Sequence, residues 1–274
     1  MRPRRGRRLT VVKCPLPILF LFPIAARRAM PDARPVALVT GAARRLGAAI
    51  ARRLHAAGFD LALHYRGSAA AMAALAAELE RARAGSTVVL QAELAEYDRL
   101  PELVARTVGR FGRLDALVNN ASAFSPTPLG TITPADWDAQ FLVNARAPLI
   151  LAQAAAPHLT AARGAIVNLV DIYAERPLRD HVVYAMSKAA LVAATRALAL
   201  ELAPAVRVNA VAPGAILWPD DKPEAAKAAI LARTPLARTG DEAEIAEAVR
   251  WLLQDATYTT GQVLRVDGGR MLAG

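Results

Sequence analysis

The sequence predicts an α/β domain in which helices cover both faces of one doubly wound parallel sheet. Three observations indicate it. Short, continuously apolar runs alternate with helical patterns from residue 35 onward, a glycine-rich turn joins the first run to the first helix, and no linker or internal repeat follows residue 30. Strands that are apolar on both faces are typical of parallel sheets buried between helices, and right-handed crossovers then give a Rossmann-type arrangement.

Strands and helices alternate along the whole body of the chain. The apolar runs predict seven strands, at 36–40, 61–65, 87–91, 114–119, 165–169, 206–211 and 263–266. The stretches between them predict helices at 45–57, 69–84, 98–111, 134–156, 182–202, 224–233 and 241–254. Gly58 and Gly85 end the first two helices, as glycine commonly does at a helix C-terminus. Residues 30–274 are therefore predicted to form one domain.

The composition is that of a globular chain whose core is built from small aliphatic residues. Of the 274 residues, 54% are hydrophobic but only 5% are aromatic, and 21% are charged, which excludes a disordered chain. The single cysteine, Cys14, excludes an intrachain disulfide framework and a multi-cysteine zinc site. The four histidines are scattered without the spacing of metal ligands, so we expect no metal centre.

The basic charge is concentrated at the N-terminus. Eight positive charges of the net +10 fall in residues 1–29, so residues 30–274 carry 26 basic and 24 acidic side chains. A nearly neutral body argues against nucleic-acid binding. We expect residues 1–29 to be a basic N-terminal extension, disordered or translated from a start assigned too early, because Met30 stands just before the first strand. A secretory signal or membrane anchor is the alternative, although the apolar stretch is shorter than the roughly 20 residues of a bilayer span.

The turn after the first strand predicts a dinucleotide site. Gly41 allows a tight turn and Gly47 allows close packing of helix against strand, and a helix N-terminus placed there binds a pyrophosphate through its free N–H groups and its dipole. We assign Arg45 and Leu46, which lie between the two glycines, to the same cofactor site.

The end of the second strand favours NADPH over NADH. Residues 64–68 contain no acid that would accept the ribose hydroxyls of NAD. Arg66 and Ser68, joined by Arg45 from the first turn, instead suit a 2′-phosphate, and Tyr65 is assigned to the same site. The alternative is that Arg66 is only a solvated surface charge.

A tyrosine and a lysine at helical spacing predict the chemical centre. Tyr184 and Lys188 lie on one face of a helix, and a nearby cation lowers the pKa of a phenol from its usual value of about 10. This pair alone is common on protein surfaces. Asp171 strengthens the prediction because it follows the strand at 165–169, and residues past the carboxyl ends of parallel strands line the ligand crevice.

From about residue 35 to its end the chain resembles a short-chain dehydrogenase/reductase. The matching motifs are Thr-Gly-x-x-x-x-x-Gly at 40–47, Asn119-Asn120-Ala121, Asn144, Tyr184-x-x-x-Lys188 and Pro213-Gly214. The resemblance implies that Tyr184 donates a proton, that Lys188 orients the nicotinamide ribose and tunes Tyr184, and that Asn144 holds a water of the proton relay. It also assigns the cofactor contacts Asn120, Ala121, Pro213 and Gly214.

At three positions the chain departs from the general family pattern, and there it resembles the pteridine reductase branch. This branch includes bacterial dihydromonapterin and dihydrofolate reductases. Arg45 replaces a glycine, Asp171 replaces a serine, and Asn-Ala-Ser follows Asn119. The branch implies that Phe124 stacks on the pterin opposite the nicotinamide and that Asp171 pairs with Tyr184 at the reacting edge. It further implies that Ser122 and Arg45 lie beside cofactor and substrate. Glu93 stands where the family usually has the aspartate that meets the adenine. The alternatives are a core role for Phe124 and a loop-capping role for Asp171.

The expected function is an NADPH-dependent reduction of a 7,8-dihydropterin (dihydrobiopterin, dihydromonapterin or dihydrofolate) to its tetrahydro form, within tetrahydrobiopterin or folate metabolism. A related reductase acting on oxoacyl or sugar ketones is the alternative, and Asp171 argues against it. A non-catalytic NADPH-sensing protein is a further alternative, disfavoured because Tyr184 and Lys188 are both present. The resemblance also implies pairing of the helices at 134–156 and 182–202 in a homotetramer. A need for NADPH suggests the cytoplasm, with no membrane partner.

Overall fold

The computed structural model describes residues 34–218 and 223–273, so the predicted extension at 1–29 lies outside the described residues. The described strands form one parallel sheet in the order β3-β2-β1-β4-β5-β6-β7. Their bounds are β1 Val36–Val39, β2 Asp60–Tyr65, β3 Thr87–Gln91, β4 Ala116–Asn119, β5 Ala165–Leu169, β6 Arg207–Pro213 and β7 Val263–Val266. The strand order reverses between β1 and β4, which confirms the doubly wound Rossmann-type fold and places a crevice at the carboxyl ends of the strands.

Helices cover both faces of the sheet, each through a buried apolar cluster. The helices are α1 Arg45–Ala56, α2 Ala69–Ala82, α3 Leu100–Phe111, α4 Pro134–Phe141, α5 Ala147–Ala162, α6 Val182–Glu201, α7 Glu224–Leu231 and α8 Glu242–Gln254. One cluster packs α1, α2 and α8 on the sheet, and the other packs α3 and α5 on the opposite face. Two of the helices begin with reciprocal capping bonds, made by Thr133 with Asp136 and by Asp241 with Glu244.

The single helix predicted at 134–156 is wrong in two respects. It is divided into α4 and α5 by a π-helical turn at Leu142–Arg146, and α5 continues to Ala162 beyond Pro157. Proline removes the hydrogen bond to the carbonyl four residues earlier, which here belongs to Gln153. Both Gln153 and Pro157 lie on the exposed side of α5, so water reaches that carbonyl and the helix persists.

Helix α6 is the one described helix that is long and apolar enough to cross a membrane by length and composition. Half of its most apolar window is buried inside the protein, and the helix packs against β6. The apolar character of α6 is therefore that of a core helix, and it fixes the position of the tyrosine and lysine at its N-terminal end.

Candidate active site

The turn between β1 and α1 is held tightly against the end of β4. Gly41 has a φ of +63°, a conformation that favours glycine, and a Cβ added to Gly47 would lie 2.1 Å from the Gly41 carbonyl oxygen. The Asn120 amide donates to the carbonyl oxygens of Thr40 and Gly41, at 2.9 and 3.0 Å. The first turn of α1 therefore faces the crevice at a close and fixed distance from the sheet.

A buried histidine supports this turn from β2, a role that the sequence analysis missed. The Gly41 N–H donates to His64 Nδ1 at 3.2 Å, and His64 Nε2 lies 3.2 Å from the carbonyl oxygen of Ala92. These two contacts require a neutral ring with its proton on Nε2. Burial lowers the pKa of His64, which favours this form.

Arg45 occupies the left-handed region, with a φ of +52°, at the position where the family usually has glycine. A side chain in this conformation costs about 1–2 kcal/mol. The Arg45 guanidinium lies exposed at the crevice and makes no hydrogen bond or ion pair with another residue that the structure describes. An unpaired cation thus stands beside the N-terminus of α1.

The residues at the end of β2 line the same crevice, but not all are unpaired. Arg66 is 74% exposed and its Nη1 lies 3.8 Å from Glu93 Oε2. Tyr65 and Ser68 line the crevice on either side of Arg66. The predicted phosphate contact Arg66 is therefore partly neutralised by the predicted adenine contact Glu93, a pairing that the sequence did not reveal.

The tyrosine and the aspartate meet where β5 ends and α6 begins. The Tyr184 hydroxyl donates to Asp171 Oδ2 at 2.8 Å, and the Tyr173 backbone N–H donates to Asp171 Oδ1 at 2.9 Å. The second contact caps a short 3₁₀ turn over Ile172–Ala174. Asp171 therefore caps a loop with one oxygen and holds Tyr184 with the other, so the loop-capping alternative and the tyrosine contact are both present.

Burial shifts the pKa values of Asp171, Tyr184 and Lys188. It raises the pKa of Asp171, and burial together with the Asp171 carboxylate raises the pKa of Tyr184 well above its ordinary value. Lys188 donates to the Leu169 carbonyl oxygen at 2.8 Å, and burial lowers its pKa to about 8. The net pKa of Tyr184 is therefore raised, and its lowering by Lys188 stays a prediction. The Lys188 ammonium lies 5.8 Å from the Tyr184 ring centroid.

Asn144 lies in the π-helical turn and is fully buried. Its Oδ1 accepts from the Ala123 N–H at 2.8 Å, and its Nδ2 donates to the Ala123 carbonyl oxygen at 2.8 Å and to Ser187 Oγ at 3.0 Å. The Ser122 hydroxyl also donates to Asn144 Oδ1, at 3.2 Å. The Asn144 side chain therefore fastens the loop after β4 to α6.

Phe124 is exposed at the crevice rather than buried in the core, which excludes the core alternative. Its side chain is 51% exposed. It stacks on His181 with ring centroids 4.6 Å apart and meets the Tyr184 ring edge-on at 4.7 Å. An apolar, aromatic wall thus stands directly beside the Tyr184 hydroxyl and Asp171.

These groups line one cleft of about 1020 Å³. The predicted residues at its surface are Gly41, Arg45, Leu46, Gly47, Tyr65, Arg66, Ser68, Glu93, Asn120, Ala121, Ser122, Phe124, Asp171, Tyr184 and Gly214. Asn144, Lys188 and Pro213 are buried behind its wall. Tyr173 and Arg270 line the cleft but were not predicted. Arg270 follows β7, so the rule that strand ends line the crevice could have found it.

The cleft fits a nicotinamide dinucleotide. The close turn at Gly41 and Gly47 leaves the N-terminus of α1 open to a pyrophosphate, and the unpaired Arg45 cation stands beside it. Asp171 and Tyr184 line the same cleft.

Comparison with known proteins agrees with this geometry. A family model described as enoyl-(acyl carrier protein) reductase matches residues 41–270. Pteridine reductase 1 of Leishmania tarentolae is 38% identical over 279 residues, covering 87% of this chain and 96% of that protein. A putative ketoacyl reductase of the granaticin polyketide synthase of Streptomyces violaceoruber is 40% identical over 246 residues, with the same coverage. A 3-oxoacyl-[acyl-carrier-protein] reductase of Staphylococcus aureus is 35% identical over 238 residues, covering 85% and 96%. The chain is an oxidoreductase of the kind that uses nicotinamide cofactors, and it belongs to the short-chain dehydrogenase/reductase family.

Proposed function

We propose that this protein is an NADPH-dependent pteridine reductase that converts a 7,8-dihydropterin, such as dihydrobiopterin, dihydromonapterin or dihydrofolate, to its tetrahydro form. The observation that carries the proposal is the 2.8 Å hydrogen bond between Tyr184 and Asp171, set beside the exposed ring of Phe124. Reduction of a C=N bond requires a hydride at carbon and a proton at nitrogen. NADPH supplies the hydride when bound, and the acid–phenol pair is suited to deliver the proton.

The raised pKa of Asp171 supports this role. A buried carboxyl that resists ionisation keeps its proton to a higher pH than an exposed aspartate does. As Tyr184 donates its proton to the substrate nitrogen, directly or through water, Asp171 restores it. Because the two groups share one hydrogen bond, they titrate as a pair. Lys188 lies directly behind Tyr184, where it would hold the cofactor ribose.

Phe124 supports a flat, nitrogen-rich substrate ring. One face of its ring is covered by His181, while half of the side chain stays exposed at the cleft. Aromatic stacking of a heterocycle on such a surface contributes about 0.5–1.5 kcal/mol beyond the burial of area. Ser122 lies between this wall and the cofactor half of the cleft.

Arg45, Arg66 and Ser68 support the choice of NADPH. The first is an unpaired cation, and the other two lie where a 2′-phosphate would be placed by the end of β2. A phosphate would also compete with Glu93 for Arg66, because their 3.8 Å contact is largely solvent-exposed and weak.

A carbonyl reductase acting on oxoacyl groups is the second candidate, favoured by the ketoacyl reductase relatives of comparable identity. The Ser122 hydroxyl also opposes the rise in the pKa of Tyr184, as a polar group near the phenol would. Asp171 argues against this candidate, since it stands in place of a serine that would donate to a carbonyl oxygen, and its Oδ2 instead accepts from the Tyr184 hydroxyl.

The proposal also covers the oligomeric state and the cellular location of the protein. Large apolar side chains on α4, α5 and α6 are exposed, among them Trp137, Leu149 and Met186. Exposed apolar side chains on helices are typical of an interface, which supports pairing of these helices in a homotetramer. We place the enzyme in the cytoplasm, where NADPH is available, with neither nucleic acid nor membrane as a partner.

Replacing Tyr184 by Phe tests the mechanism. The variant keeps the packing of the ring but loses the hydroxyl that reaches Asp171, so we expect it to bind NADPH normally and to lose turnover by about 100-fold or more. Tyr258→Phe is the matched control, because Tyr258 is fully exposed. Turnover by Tyr184→Phe at the wild-type rate would contradict the mechanism.

A further inference from the structure

Arg270 lines the cleft, and hydrogen bonds hold its backbone in place. The Asp267 carboxylate accepts from the N–H groups of Gly269 and Met271, at 2.9 and 2.8 Å, which fixes the turn after β7. Arg176 donates to the carbonyl oxygens of Arg270 and Ala273, at 2.8 and 2.5 Å. The backbone of Arg270 is thus fastened from both sides, partly by the same loop that carries Asp171.

The Arg270 guanidinium contacts the aromatic ring of Tyr173, with its carbon 5.9 Å from the ring centroid. Its charge opposes the effect of burial on the pKa values of Tyr173 and Asp171. Both Asp171 oxygens already accept hydrogen bonds from Tyr184 and from the Tyr173 backbone. Arg270 forms no salt bridge with any carboxylate among residues 34–218 and 223–273.

Two neighbouring arginines have their guanidinium groups hydrogen-bonded to oxygen atoms of the protein. Arg176 is used on backbone carbonyls, and Arg265 pairs with Glu175 on the surface, outside the cleft. Arg270 is therefore a positioned cation that lines the cleft and whose charge is not matched by a carboxylate partner in the described part of the chain. The planar fork of a guanidinium matches a carboxylate in a bidentate geometry.

We propose that Arg270 is an anion-binding subsite, which makes this enzyme select substrates that carry a carboxylate on the substituent of the ring over neutral ones. This inference rests on the proposed pterin-reducing function, and it assigns the substrate class at the same site. The carboxylate has two possible sources, one attached directly to the ring and one carried on an aryl extension. Both present the same chemistry to Arg270.

Calorimetric titration of the NADP⁺-saturated protein tests the subsite without turnover. The ligands are the oxidised compounds pterin-6-carboxylate and pteroate, with neutral biopterin as the reference. For the wild type we expect at least one carboxylate to bind more tightly than biopterin. In Arg270→Gln that preference falls by about tenfold or more, as expected for loss of a charge-assisted hydrogen bond. Arg270→Lys retains part of it, whereas the matched control Arg265→Gln retains all of it.

Each outcome separates the two claims. A fall for pterin-6-carboxylate places the anion at the ring, and a fall for pteroate alone places it on the extension. An unchanged preference in Arg270→Gln overturns the subsite and leaves the pterin-reducing function standing. A wild type that binds none of the three compounds overturns both.

Discussion

Replacing Asp171 by Asn removes the ionisable proton of the carboxyl group while the side chain keeps its shape. In the wild type the Tyr173 N–H lies 2.9 Å from Asp171 Oδ1. The amide oxygen of the variant accepts the same hydrogen bond, so the loop cap is retained. The amide nitrogen takes the place of Oδ2, which lies 2.8 Å from the Tyr184 hydroxyl. Since burial already disfavours the charged form of Asp171, the neutral amide costs the fold nothing in desolvation.

The expected loss is catalytic. A positioned general acid contributes about 10²- to 10⁴-fold, so kcat/KM for a dihydropterin should fall by about 100-fold or more. The pH profile gives an independent signature. Because burial raises the pKa of Asp171, wild-type activity persists above the usual aspartate range and declines as the pH rises through the apparent pKa of the pair. Asp171→Asn has no such limb.

The assay is NADPH oxidation across pH, with thermal unfolding to show that the variant is folded. Asp180→Asn is the matched control, because Asp180 lies exposed in the loop before α6. The reasoning is refuted if Asp171→Asn keeps more than a tenth of wild-type kcat/KM, or if it keeps the same pH limb.

Three further predictions concern the cofactor turn. Arg45→Gly should leave the melting temperature nearly unchanged, because relief of the left-handed conformation offsets the entropy of glycine, while NADPH binds more weakly in titration. Gly47→Ala should lower the free energy of unfolding by about 1–3 kcal/mol, because the added Cβ meets a carbonyl oxygen at 2.1 Å. Denaturant unfolding measures this loss. Gly67→Ala is the control and should leave the free energy of unfolding unchanged, because a Cβ there enters open space. His64 has a lowered pKa in the fold, so stability should fall as the pH drops below about 6.5, where the unfolded chain takes up the proton. His64→Asn should reduce this dependence of stability on pH. An equal slope of stability against pH in the variant would contradict the assignment to His64.

The sheet could be predicted from the sequence because its central strands are short apolar runs that are buried. The division of the helix at 134–156 was missed, although Pro148 in the first turn of α5 is a helix-start signal just after the π-helical turn at Leu142–Arg146. Pro157, which does break helices, fails to do so because the carbonyl that it frees faces water. Local rules ignore which side of a helix is exposed.

The position of the candidate site followed from motifs, but its electrostatics did not. The sequence placed Lys188 near Tyr184 without showing that burial lowers the pKa of Lys188, or that burial together with Asp171 raises the pKa of Tyr184. It also could not show that Arg66 meets Glu93. These effects depend on distances between segments remote in the chain.

The most direct test of pterin reduction is the substrate preference of the protein beginning at Met30. NADPH oxidation is followed with dihydropterins, with dihydrofolate and with a small panel of ketones, and NADH is then compared. We predict turnover of the pterins, with NADH much poorer and the ketones inert. Turnover of ketones alone would contradict the account and identify a carbonyl reductase.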